Sequence, residues 1–187
     1  MFLLGVAAAA LAFSSAPAGT TTTSAGALAP RTVCHGQVAT AAPQAVQLRA
    51  MRCLINWARR HGGRSALRAN ADLERSAGLR AGDIVRCQSF SHTPCGQAFI
   101  AVFQLVGYFV GTASVGENLA WGQGRFGSAR TAMAGWLASP EHRQILFGAD
   151  WRDLGVARVR ATSFLGRPNV TVWVAQFGHR IALTPLP

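Results

Sequence analysis

The sequence contains no lysine. All 18 basic residues are arginines, set against 7 acids, for a formal charge of +11 over 187 residues. P-loop phosphate chemistry, which needs a lysine, is thereby excluded. Charged residues amount to only 13% of the chain while hydrophobic residues reach 50%, a balance incompatible with wholesale disorder. The 4 cysteines include no C-x-x-C pair, which argues against a zinc ribbon or a thioredoxin-like redox motif. Collagen periods, heptad arrays and other internal repeats are absent too. The arginines are dispersed, with local pairs such as Arg59-Arg60 and no interleaved stacking aromatics, so nucleic acid is not an expected partner. Attraction to an anionic lipid or cell-surface polymer suits such a charge distribution better.

Charge is also missing from the start of the chain, where no ionisable side chain precedes Arg31. Phe2–Phe13 is an apolar run of 12 residues, followed by the small-residue exit Ala16-Pro17-Ala18. As a helix it would span roughly 18 Å, short of the ~30 Å hydrocarbon core. Residues 1–18 therefore read as a secretory signal peptide rather than a transmembrane span. Residues 19–33, rich in Thr, Ala and Pro, read as a linker, and 34–187 as one domain. The expected product is a secreted, soluble monomer. Cys34, Cys53, Cys87 and Cys95 all follow the expected cleavage site. Three pairings exist, of which Cys34–Cys53 with Cys87–Cys95 needs the least long-range assumption. Their enclosed loops of 18 and 7 residues would contribute about 3 and 2.5 kcal/mol by loop entropy.

Periodicity supplies a coarse map. Val46, Leu48, Met51, Ile55 and Ala58 form a helical stripe that Gly62-Gly63 ends. Asn70 is placed to cap a second helix, with Asp72 and Glu74 at its positive end and Leu73, Ala77, Ala81 and Ile84 facing inward. Residues 97–110 are apolar and fit either a helix or a buried strand. Ser128–Leu137 reads as helix, with Ala129, Met133 and Trp136 on one face, and Ser139-Pro140-Glu141 starts another that stops near Gly148. Val156–Ala161 and Val170–Phe177 read as two strands of a hairpin, with Arg167-Pro168-Asn169 as its turn region. Helices first and strands last argue an α+β fold.

Three stretches carry the chemistry: Ser89-Phe90-Ser91-His92, Gly116-Glu117-Asn118 through Trp121-Gly122, and Trp136 through Ser139-Pro140-Glu141-His142-Arg143. Together with Cys53-Leu54-Ile55-Asn56, Ile145-Leu146, Leu154-Gly155-Val156 and Trp173-Val174-Ala175-Gln176-Phe177-Gly178, in this order, they make the chain resemble the CAP superfamily. That superfamily comprises cysteine-rich secretory, antigen five and pathogenesis-related class one proteins, and the likeness is to its bacterial secreted branch. The resemblance implies a three-layer α-β-α sandwich with a mainly antiparallel central sheet. It also implies a cleft lined by two histidines and two acids. Carried over by motif, these are His92, His142 and Glu117. The second acid falls where this chain has Ser139, which leaves Glu141 as the nearby candidate.

Two imidazoles and a carboxylate leave an open position on a four-coordinate zinc, so zinc or another divalent cation is expected to bind weakly, with no cofactor required. The same three side chains would also serve as a hydrogen-bonded cluster fixing the loops. No acid is placed beside Ser91 and His92 in sequence to complete a serine triad, and His35, His61 and His179 lie in plain surroundings. Trp121 and Trp136 read as core. The resemblance supplies no agreed reaction. The expectation is a non-enzymatic binding module for a small apolar or amphipathic ligand or an anionic surface polymer, with a metal-dependent extracellular hydrolase as the alternative.

Overall fold

A computed structural model describes residues 26–109 and 112–181, so the expected signal peptide lies outside the described residues. Helix α1 (Gln44–His61) follows Pro43 and ends at Gly62, whose N–H donates to the carbonyls of Ala58 and Arg59. Its buried face carries Ala50, Met51, Leu54, Ile55 and Ala58. Val46 and Leu48 of the expected stripe fall to its edge, and Gln47 and Arg59 are buried instead. The Arg59 guanidinium donates to the carbonyls of Ser65, Leu146 and Gly148. A buried cation is tolerated there because each bond replaces a lost one to water.

The short strand β1 (Arg68–Ala69) leads into α2 (Ala71–Arg86), where Asn70 caps as expected, its side chain accepting from the N–H groups of Asp72 and Leu73. In the ambiguous apolar segment, α3 (Ala101–Leu105) forms. Strand β2 (Thr112–Gln123) carries the Gly116-Glu117-Asn118 motif and has no counterpart in the periodicity map. Helices α4 (Ala129–Ala138) and α5 (Pro140–Leu146) are capped by the Ser128 and Ser139 hydroxyls.

Strands β3 (Asp153–Phe164) and β4 (Arg167–Ile181) form the hairpin. Its turn is Leu165-Gly166, both at positive φ (48° and 72°), the combination a tight two-residue hairpin turn needs. Arg167-Pro168-Asn169, expected in the turn, belongs to β4, with Arg167 opposite Phe164. A leucine in the left-handed region gave the sequence no signal to place the turn two residues earlier.

The sheet order is β1-β3-β4-β2, antiparallel except for the parallel β1–β3 pair. Alternation along β4 divides the core in two. Trp173, Ala175 and Phe177 pack with α1, α4 and α5, whereas Val170, Val172 and Val174 pack with Ala77, Ala81 and Ile84 of α2. This is the expected three-layer α-β-α sandwich. Helix α2 lies so close to β3 that a Cβ on Gly155 would come 2.1 Å from the backbone carbon of Leu73.

Both expected disulfides, Cys34–Cys53 and Cys87–Cys95, are present. Packing reaches back before Cys34, into the segment read as linker. Ala29 is fully buried, its carbonyl accepts from Arg130 at 2.7 Å, and the Pro30 carbonyl accepts from Gln37.

Candidate functional site

The sheet and α2 together bury a charged network. Glu117 on β2 stands opposite Gln176 on β4. Its Oε2 accepts from Gln176 Nε2 at 2.7 Å and from Arg80 Nε at 3.2 Å, and its Oε1 meets His92 Nδ1 at 2.8 Å. The side chains of Arg80 and Glu117 are both 0% exposed, while His92 is 51% exposed. Arg80 also donates from Nη2 to the Phe99 carbonyl at 2.6 Å, which fastens the loop after His92 to α2. The Nδ1 edge of the His92 ring is thus held against the buried carboxylate while the ring as a whole stays half exposed.

His92 sits on the loop that the Cys87–Cys95 bridge closes, with a Cα–Cα distance of 5.4 Å. Tight closure limits the conformational freedom lost when the ring docks on Glu117. His142 enters from the first turn of α5, where its N–H donates to the Ser139 hydroxyl and its carbonyl accepts from Asn118 Nδ2. Burial lowers its pKa, and the charge of His92 lowers it further, against an opposing contribution from Glu141. His142 is thereby held toward the neutral form.

Of the expected zinc ligands His92, Glu117 and His142, Glu117 is the one already held by other protein groups. Both Glu117 oxygens are engaged by hydrogen-bond donors, and the buried Arg80 guanidinium already neutralises its charge. Among the described residues, no group of three or more His, Cys, Asp or Glu side chains is disposed to hold a metal ion. Glu141, the nearby candidate for the second acid, is exposed and accepts from the Ser139 hydroxyl at 2.8 Å. A backbone hydrogen bond, and after it the Ser139 hydroxyl, hold its pKa below the usual value.

No acid lies beside His92 in sequence; Glu117 orients its ring from 25 positions away. A triad still does not form, because the Ser91 hydroxyl is directed to Thr93 Oγ1 at 3.1 Å. His61 stacks on Trp57 at the end of α1, its ring centroid 4.0 Å away, apart from the site.

Beside the network runs a cleft of about 370 Å³. Leu119, Ala132 and Trp136 form its wall, Phe90, Trp121 and Phe126 its aromatic rim, and Ser139 and His142 one polar end. Trp136 is the core residue expected, its indole N–H donating to the Leu119 carbonyl at 2.8 Å. Trp121 is not. It is 37% exposed, alongside Phe90 at 40% and Phe126 at 58%. Edge-to-face contacts with Phe90 and Phe164, at 6.5 and 5.8 Å, fix the Trp121 ring.

The sequence reading missed Arg80 and Phe126 as site residues. The available signal for Arg80 was an arginine on the apolar face of α2, between Ala77 and Ala81.

The profile of the cysteine-rich secretory protein (CAP) family matches residues 53–177. No curated protein matches the chain significantly. Among solved structures, an outer surface protein of Borrelia burgdorferi is similar at a TM-score of 0.60 and 21% identity, covering 72% of this chain and 93% of that one. An extracellular protein of Bacillus anthracis containing an SCP domain gives 0.57 at 22% identity, covering 72% of this chain and 40% of its own. A cysteine-rich secretory protein of Staphylococcus aureus gives 0.55 at 16% identity, with coverages of 75% and 40%. At these identities the structures bear on the fold alone, which agrees with the sandwich described above. Because the family profile runs from Cys53 within α1 to Phe177 within β4, well over half of the chain, the chain belongs to the cysteine-rich secretory protein, or CAP, family.

Proposed function

We propose that this protein is a secreted, non-enzymatic binding module whose α4 cleft takes a small amphipathic ligand. The observation that carries the reading is the row of partly exposed aromatic rings, Phe90, Trp121 and Phe126, along a cleft whose wall is apolar and whose far end is His142 with Ser139. Each large apolar group that a ligand buries there contributes about 1.5–3 kcal/mol, so a ligand must bury several of them to approach the roughly 8 kcal/mol of micromolar binding. The two disulfides, and the extracellular and outer-surface descriptions of two structural neighbours, support export. No helix among the described residues is long and apolar enough to cross a membrane.

The alternative, a metal-dependent hydrolase, asks Glu117 to bind a metal or move a proton. Its carboxylate is instead committed to Arg80, Gln176 and His92, and serves to position the histidine. Titration with the uncharged fluorophore N-phenylnaphthylamine tests the binding reading. Saturable uptake that weakens about tenfold in the Trp121→Ala, Phe126→Ala double variant is the expected result. No uptake, or uptake indifferent to both substitutions, would overturn it.

A further inference from the structure

Beyond Phe126 the apolar cleft meets a second cavity of about 460 Å³, and Phe126 and Thr131 line both. The second cavity is different in chemistry. Arg31, Arg125 and Arg130 line it, with Leu28, Val38 and Ala134 between them, and no acid contributes to the wall of either cavity. None of the three arginines makes an ion pair among the described residues, although five of the seven acids are paired with arginines elsewhere. In a chain with so few acids, three unneutralised guanidinium groups around one concavity form a concentrated positive field.

Their positions are partly fixed. Arg130 Nη1 donates to the Ala29 carbonyl and to Gln37 Oε1, which anchors the guanidinium against the N-terminal segment. The Arg125 guanidinium lies over the Phe126 ring, 5.0 Å from its centroid, so the cation and the apolar rim are presented together. Helix α4 runs along both cavities, from Ser128 and Arg130 at the basic end to Ser139 at the His142 end. From Thr131 to Ser139 the helix rises about 12 Å, which sets the length of apolar surface available to a chain.

We infer that the ligand is a single-chain anionic amphiphile, its phosphate or carboxylate head held by Arg31, Arg125 and Arg130 and its hydrocarbon chain laid over Phe126 into the cleft beside Trp121 and Trp136. This rests on the reading of the cleft as an amphiphile site and adds the sign and place of the head group. Guanidinium forks suit both oxyanions, and the absence of acids sets the site against cationic amphiphiles.

Calorimetric titration with dodecyl phosphate, dodecanoate, uncharged dodecyl glycerol ether and inorganic phosphate tests the inference, all below the concentrations at which the amphiphiles form micelles. The two anionic probes should bind roughly tenfold more tightly than the ether, and the preference should shrink with added salt. The Arg31→Gln, Arg125→Gln double variant should lose that preference, binding the anionic probes no more tightly than it binds the ether.

Equal affinity for the ether and the anionic probes, or a preference that survives the arginine substitutions, would overturn the head-group assignment and leave the apolar cleft standing. Failure of every dodecyl probe to bind would overturn the cleft reading itself. Inorganic phosphate binding as tightly as dodecyl phosphate would reduce the site to one for a free anion and overturn the amphiphile. So would binding only to vesicles of anionic phospholipid, with none to monomeric probes.

Discussion

Arg80 Nε lies 3.2 Å from Glu117 Oε2 with neither side chain exposed to solvent, a full ion pair sealed between α2 and the sheet. Such a pair contributes little net stability over an apolar one, but removing one partner strands the other charge. Glu117→Gln should therefore destabilise the fold by about 3–5 kcal/mol, although the amide keeps the shape and can still meet His92 and Gln176. Adding Arg80→Met should recover more than half of that loss. Urea unfolding of the single and double variants checks both statements, and a Glu117→Gln protein as stable as the wild type would show that the charge of Glu117 does not hold Arg80.

His142 gives the protein a pH dependence with a definite sign. Burial, with His92 adding to it, lowers its folded-state pKa below the ordinary 6.5. The unfolded chain thus binds a proton more readily, and stability must fall as pH drops below about 6.5 toward the folded value. Above that window the contribution is fully present. Chemical denaturation across the window should show the decline in the wild type and a flatter profile in His142→Phe. A profile unchanged by the substitution would place the titrating group elsewhere.

The architecture was legible because it rests on patterns with a physical period. Asn70, Ser128 and Ser139 cap the helices that periodicity placed after them. The alternation of Val172, Trp173, Val174 and Ala175 marks a strand with both faces covered. The site was legible only in part. His92 and Glu117 do meet, but their partner Arg80 lies 37 positions from Glu117, in a stripe otherwise made of small and aliphatic residues. Trp121 looks like core in sequence, and only the sheet reveals that it stands at the rim, since nothing local distinguishes an indole that packs on one face from one enclosed on both. The turn at Leu165-Gly166 escaped because a non-glycine residue takes the strained position.

The rim depends on a glycine. A Cβ on Gly122 would come 2.2 Å from the Phe126 carbonyl oxygen, so the short helical turn Gly124–Gly127 can approach β2 only with no side chain there. Gly122→Ala should push that turn outward, cost about 1–3 kcal/mol of stability, and weaken uptake of the uncharged fluorophore by roughly tenfold. Thermal unfolding and fluorescence titration of the same sample separate the two effects. Wild-type affinity in a destabilised Gly122→Ala protein would remove Phe126 from the ligand site.

Zinc tests the donor set. With the Glu117 carboxylate committed to Arg80 and Gln176, two imidazoles remain, fewer than the three protein ligands of ordinary catalytic zinc sites. Stoichiometric zinc near neutral pH should therefore leave the melting temperature unchanged. A zinc-dependent rise that disappears in His92→Ala would contradict this account of the network.

The most direct measurement of the binding claim is a two-dimensional NMR titration of the isotopically labelled protein with uncharged dodecyl glycerol ether. It reports where a ligand sits rather than only that one binds. The account predicts saturable shifts of the Trp121 indole N–H and of the amides of Phe126, Ala132 and Gly135, the cleft between β2 and α4. Shifts centred instead on Leu79, Leu105 and Val106, which line the open groove between α2 and α3, would contradict it.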